Sequence, residues 1–129
     1  MKKRISLVVV LFMFALTSCS DAGTDAGTLD DSLSKAKAEG KIVMLELGSV
    51  GCIPCEQMKP VMQKLRDTYP GKIEVIFIDV RREYKIGRQF EVRMIPTQVF
   101  LDKTGKEVHR HIGFYSYEEI APVLKKAGI

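Results

Sequence analysis

Ile42-Val43-Met44-Leu45-Glu46-Leu47-Gly48-Ser49-Val50-Gly51-Cys52-Ile53-Pro54-Cys55 is the stretch on which the fold turns. It opens with an apolar run between Lys41 and Gly48, interrupted by a single acid, Glu46. A short apolar run with β-branched members, closed by glycine, reads as a buried strand. From Cys55 onward the period changes. Met58, Met62, Leu65 and Tyr69 recur at helical spacing, and Pro60 falls inside that helix, where it predicts a kink. A strand therefore passes through a short turn into a helix, and both cysteines sit at the junction.

The same reading extends in both directions. Ahead of the strand, Leu29, Leu33 and Ala36 have helical spacing and Gly40 supplies a stop. Behind the central helix, Ile73 to Val80 is dense in β-branched residues and reads as a second strand, followed by a short helix around Tyr84 to Phe90. Thr97 to Leu101, a turn at Asp102-Lys103-Thr104-Gly105, and Glu107 to Ile112 predict an antiparallel hairpin. Ser116 with Glu119 forms a capping-box pattern opening a last helix with Ile120, Val123 and Leu124 inward; Pro122 is an irregularity within it. Early alternation of strand and helix implies parallel pairing, and the hairpin adds an antiparallel edge. The expected class is α/β, a three-layer sandwich whose mixed central sheet of about four to five strands is flanked by helices.

With 129 residues there is room for one domain. The net charge of +4 rests partly on Lys2, Lys3 and Arg4. Removing those three from 20 basic residues leaves 17 against 16 acidic ones, a balance of +1, which is no footprint for nucleic acid. These three charges precede an apolar run from Ile5 to Leu16, too short for a comfortable membrane span and ordered like an export signal. The run ends in Leu16-Thr17-Ser18-Cys19, which resembles the lipobox of bacterial lipoproteins. That resemblance implies cleavage after residue 18 and lipid on Cys19; an ordinary cleaved signal with an incidental cysteine is the plainer alternative. Residues 19–28 nearly repeat Asp-Ala-Gly-Thr, are small and polar, and read as a flexible tether, leaving 29–129 as the folded domain. With Cys19 lipidated, the remaining two of the three cysteines, Cys52 and Cys55, are left as a pair.

The placement of that pair carries chemistry. The first turn of a helix has unpaired N–H groups and a partial positive charge, so a thiolate there is stabilised. Pro54 suits the first turn because its missing N–H removes one orphan donor. Cys52 is expected to be the more exposed nucleophile and Cys55 the more buried resolving thiol. Two other readings stand beside this one. A static disulfide would close a very short loop and stabilise little. Half of a zinc site would need partners, and only His109 and His111 are available; both are expected to be exposed residues on one face of the edge strand. No metal and no cofactor is expected.

These residues together resemble the thioredoxin superfamily, across nearly the whole of 29–129. Gly51-Cys52-Ile53-Pro54-Cys55 looks like the redox motif, Pro60 like the helix proline, Ile95-Pro96-Thr97 like the cis-proline loop, and Gly113 like the glycine after the last strand. The resemblance implies that Ile95, Pro96, Thr97 and Gly113 line a groove for an extended partner strand. It also places Glu46 at the family's buried acidic position, where a carboxylate beneath the resolving cysteine helps to move its proton; a strand with Glu46 turned to solvent is the alternative. Three departures are visible. Gly51 stands where the family usually has Trp, Ile53 where cytosolic members usually have Gly, and Phe77 where many carry a buried Lys.

The resemblance implies a reductant of disulfides in exported proteins, re-reduced by a membrane electron donor and lipid-anchored outside the cytoplasm, on the periplasmic side. Ser20 after the anchor resembles an outer-membrane sorting signal. A monomer is expected, with no nucleic-acid partner. The other functions open at this point are a disulfide oxidase or isomerase, a redox-inactive binding module built on the Pro96 groove, and copper delivery through His109 and His111.

Overall fold

Residues 28–129 are described by the structure, a computed structural model of the chain. The expected export signal, the expected lipid anchor at Cys19 and the expected tether as far as residue 27 lie outside the described residues. Thr28, the last residue assigned to the tether, caps helix α1 (Leu29–Ala38): its hydroxyl accepts from the Asp31 N–H while the Asp31 carboxylate accepts from the Thr28 backbone.

Strand β1 (Ile42–Gly48) is buried along its whole length. Successive side chains of a strand point to opposite faces, so burial throughout requires cover on both. On one face Ile42 and Met44 pack with Phe100 against Met58, Met62 and Leu65 of α2 (Ile53–Thr68) and against Ile120 and Leu124 of α4 (Tyr117–Ala127). On the other, Val43, Leu45 and Leu47 pack with Val99 and Leu101 against Ala36 of α1 and the partly buried Ile86 of α3 (Tyr84–Gln89). Each fully buried side chain of this kind contributes roughly 1.5–3 kcal/mol. The run from Ile42 to Leu47, apolar but for Glu46 and buried throughout, thus fits the central strand of a three-layer sandwich.

The sheet has the order β2-β1-β3-β4. β2 (Ile73–Asp79) is parallel to β1, β3 (Thr97–Leu101) is antiparallel to it, and β4 (Glu107–Ile112) closes the hairpin as the edge strand. One row of side chains crosses all four strands: Phe77, Glu46, Gln98 and His111 are register partners in turn, so they share the face that α2 covers. The edge strands carry charge. Arg110 on β4 forks onto the Glu107 carboxylate at 2.8 Å for both contacts and reaches the Phe90 carbonyl, while Glu74 on β2 pairs with Lys41 at 3.4 Å.

Two prolines sit inside helices without ending them. Pro60 lies in α2, which is 16 residues long and continues past it to Thr68, and Pro122 lies on the exposed side of α4, costing that helix one backbone hydrogen bond. His109 and His111 depart from the expectation of exposed strand residues. Both are half-buried, because the chain after β4 folds Tyr115 back over them. The His111 ring stacks on Tyr115 with centroids 3.9 Å apart, and His109 Nε2 lies 3.1 Å from the Tyr115 hydroxyl. Burial pushes His109 below its ordinary pKa. Among the described residues no group of three or more His, Cys, Asp or Glu is placed to hold a metal ion.

The α4 capping box is present as the Ser116–Glu119 spacing predicts: the Ser116 hydroxyl accepts from the Glu119 N–H, and the Glu119 carboxylate accepts from the Ser116 N–H at 3.0 Å. Ser116→Ala removes one half of it. The expected loss is about 1 kcal/mol of stability, read as a lower urea midpoint with an unchanged slope; an unchanged midpoint would show that Glu119 alone suffices.

Candidate active site

β1 ends at Gly48, and the chain crosses the top of the sheet through Ser49, Val50 and Gly51 before α2 begins. Two contacts hold this crossing. The Val80 N–H donates to the Gly48 carbonyl at 2.9 Å, and the Val50 N–H donates to the Asp79 carboxylate at 3.2 Å. The donated Val50 and Arg81 N–H groups hold the Asp79 carboxyl below the usual carboxylate range. Gly51 has φ +79°, a conformation that favours glycine over any side chain with a Cβ. Its place in the motif is therefore set by the local backbone as well as by the loss of an aromatic ring.

Cys52 is the N-cap residue of α2, with extended backbone and no side-chain cap; its carbonyl accepts from the Glu56 N–H at 2.9 Å. Pro54 lies in the first turn, where a missing N–H costs nothing. Cys52 and Cys55 are joined as a disulfide, with Cα atoms 5.2 Å apart. Cys52 is half-buried and Cys55 is buried, 2% exposed. One helical turn thus places one sulfur at the surface and the other beneath it.

Gly48 brings the sheet close beneath the pair. A Cβ there would lie 3.2 Å from Cys55 Sγ and 3.2 Å from the edge of the Phe77 ring. Glu46 is two residues earlier on the same strand and so on the same face. It is fully buried, and that burial pushes its carboxyl up to about 7, against the opposing effect of a hydrogen bond from Gln98. Solvent-facing Glu46 is thereby excluded. Phe77 is its register partner on β2, and among the described residues no cation pairs with it.

The Ile95–Pro96 peptide bond is cis, Pro96 and Thr97 are buried, and the Thr97 hydroxyl donates to the Met94 carbonyl at 2.6 Å. Gly113, with φ +98°, donates its N–H to the Pro96 carbonyl at 2.8 Å, so the two loops expected to line a groove are bonded to each other. Several exposed apolar side chains neighbour these residues in the chain: Val50, Ile53, Met94, Ile112 and Phe114.

Residues 29–128 match the family model described as a thioredoxin-like domain. The chain belongs to the thioredoxin-like family. Thioredoxin of Staphylococcus epidermidis is 31% identical over 96 residues, covering 74% of this chain and 91% of that protein. Staphylococcus aureus thioredoxin is 31% identical over 91 residues, covering 70% and 86%. Among solved structures, a poplar thioredoxin h superposes with a TM-score of 0.67 at 27% identity, over 78% of this chain and 88% of that one. Membership together with a bonded Cys52–Cys55 pair supports a thiol–disulfide oxidoreductase.

Two residues of this thioredoxin-like site stand outside the sequence reading, Gln98 and Asp79. Gln98 carries the same signal that picked out Glu46, a polar residue inside an apolar strand run that turns out fully buried. Asp79 closes β2, and its bond to Val50 spans 29 positions of sequence, so no local pattern announces it.

Proposed function

We propose that this protein is an extracytoplasmic protein-disulfide reductase, lipid-anchored through Cys19, that passes two electrons from the Cys52–Cys55 dithiol to disulfides of exported proteins. The observation that carries the reading is the layered pair: a reachable sulfur at the mouth of α2 over a buried one, with a buried carboxyl on the strand face below.

Each turnover moves one electron pair. Cys52 thiolate attacks one sulfur of the partner's disulfide; a Cys52–partner S–S bond forms, the partner's own S–S bond breaks, and one partner thiolate leaves. The Cys55 thiol gives its proton to the Glu46 carboxylate. Cys55 then attacks Cys52 sulfur, the Cys52–Cys55 bond forms, and the second partner thiolate is released. Both partner sulfurs take up protons, one equivalent to that now held on Glu46 and one from water. The dithiol is oxidised, the partner reduced, and a membrane-bound thiol donor restores the dithiol.

The apolar side chains Val50, Ile53, Met94, Ile112 and Phe114 favour a protein partner over a small thiol, because exposed apolar surface next to a reactive group is where polypeptide docks. Ile95, Pro96, Thr97 and Gly113 are proposed to receive that partner as an extended strand. Redox titration of the chain against glutathione decides the direction of flow. A potential near about −270 mV supports the reductase, and one near about −120 mV supports an oxidase and overturns it. Mass spectrometry of the mature N-terminus tests the anchor: a diacylated or triacylated Cys19 is expected, and a free thiol there removes the lipid from the proposal.

A further inference from the structure

The sheet row beneath the cysteines contains a second buried polar group whose bonds are directional. Gln98 is fully buried in the middle of β3. Its Nε2 donates to Glu46 Oε2 at 3.1 Å and to the Gly113 carbonyl at 3.1 Å. A carbonyl only accepts, so the Gly113 contact requires a donor and fixes which end of the amide faces that way. With both N–H groups committed, Gln98 faces Glu46 as a donor. A donor stabilises the ionised carboxylate over the protonated acid. Phe77 on the other side of Glu46 supplies no hydrogen bond at all.

We infer that Gln98 is a positioning residue for disulfide exchange, an amide clamp that orients the Glu46 carboxylate beneath Cys55 and ties it to the Gly113 side of the partner groove. The inference rests on the proposed exchange reaction and deepens it. Because Oε2 is occupied by the Gln98 amide, Oε1 is the carboxylate oxygen left for the proton; it is buried and carries no other hydrogen bond in the described structure. Gly113 is held from two directions, by the Pro96 carbonyl on its N–H and by Gln98 on its carbonyl. One side chain therefore links the proton acceptor to the backbone that a partner strand would touch.

Burial alone would push the Glu46 carboxyl higher than it stands, and the Gln98 bond opposes that. Gln98→Met keeps length and bulk and removes both donors. In the disulfide form of the full chain, where neither cysteine of the pair ionises, the Glu46 side-chain carbon is followed by NMR against pH. A midpoint near 7 is expected for the unaltered protein, rising by about one to two pH units in Gln98→Met, since hydrogen bonds to a charged group carry that weight. The resolving step, measured as release of a mixed disulfide from Cys52, should shift its pH midpoint by the same amount and regain its rate at high pH. A merely structural defect would lower the rate at every pH.

A measurement on the unaltered chain needs no variant to fold: the Gln98 side-chain amide protons should titrate with the Glu46 midpoint. Amide protons indifferent to Glu46, or a Gln98→Met midpoint unchanged from the unaltered protein, overturns the clamp. If the clamp behaves as expected while the unaltered chain reduces no protein disulfide, the clamp stands and the reductase reading falls.

Discussion

Replacing Cys52 with Ala is expected to cut protein-disulfide reduction by at least about a thousandfold, because Cys55, the other cysteine among the described residues, is only 2% exposed and out of reach of a partner's disulfide. Cys55→Ala should act differently. Cys52 remains able to attack, but nothing beneath it can resolve the product, so partners accumulate as mixed disulfides on Cys52. A reductase assay on the first variant and a non-reducing gel on the second separate the two roles. Retained reduction in Cys52→Ala would remove it as nucleophile. Adducts that survive only when Cys55 is kept would reverse the assignment. The exposure difference, a half-buried Cys52 over a Cys55 that is 2% exposed, gives the physical ground for the order of events.

The second large effect concerns stability and pH. The Glu46 carboxyl is raised in the fold from an ordinary 4.5 to about 7, chiefly by burial. Between those values the native state keeps the proton and the unfolded chain gives it up. The unfolded state then binds fewer protons, so stability falls as pH rises through this window and levels off above about 7. The shift spans about 2.5 pH units, the difference between about 7 and 4.5, which corresponds to a loss on the order of 3 kcal/mol. Glu46→Gln removes the titration while its amide oxygen can still accept from Gln98. The variant should match the unaltered protein near pH 4.5 and exceed it by about 3 kcal/mol at pH 8. Urea midpoints of the disulfide form at both pH values provide the check, and parallel curves for the two proteins would show that Glu46 does not titrate in this range. The same substitution should slow resolution of the mixed disulfide, so the residue that weakens the fold at pH 8 is the one the proposed exchange uses.

Much of the fold could be read from the chain because burial on both sides leaves an unmistakable pattern. Ile42 to Leu47 has no alternation, which fits a short strand covered on both faces. The hairpin and the α4 cap were legible for a related reason, since turn and cap chemistry is local. What stayed hidden depends on register. Glu46 stands out as a lone acid, but its partner could be any polar residue until β1 and β3 are aligned and Gln98 falls opposite. Asp79 looks like an ordinary strand end until the Val50 N–H is seen to reach it. The alternation of His109 and His111 correctly put them on one face of β4. It could not say that Tyr115 returns to cover that face, because the return happens after the strand ends.

An open sheet leaves two rows of backbone donors and acceptors without neighbours, and such rows invite other chains to add on. Here the outer margin on one side bears the forked Arg110–Glu107 pair and on the other the Glu74–Lys41 pair. A second molecule approaching either margin edge-on would have to strip water from fixed charges before its first main-chain bond formed. Crowded copies of this domain are thereby discouraged from zipping into fibrils, and neutralising both margins together should make it prone to do so.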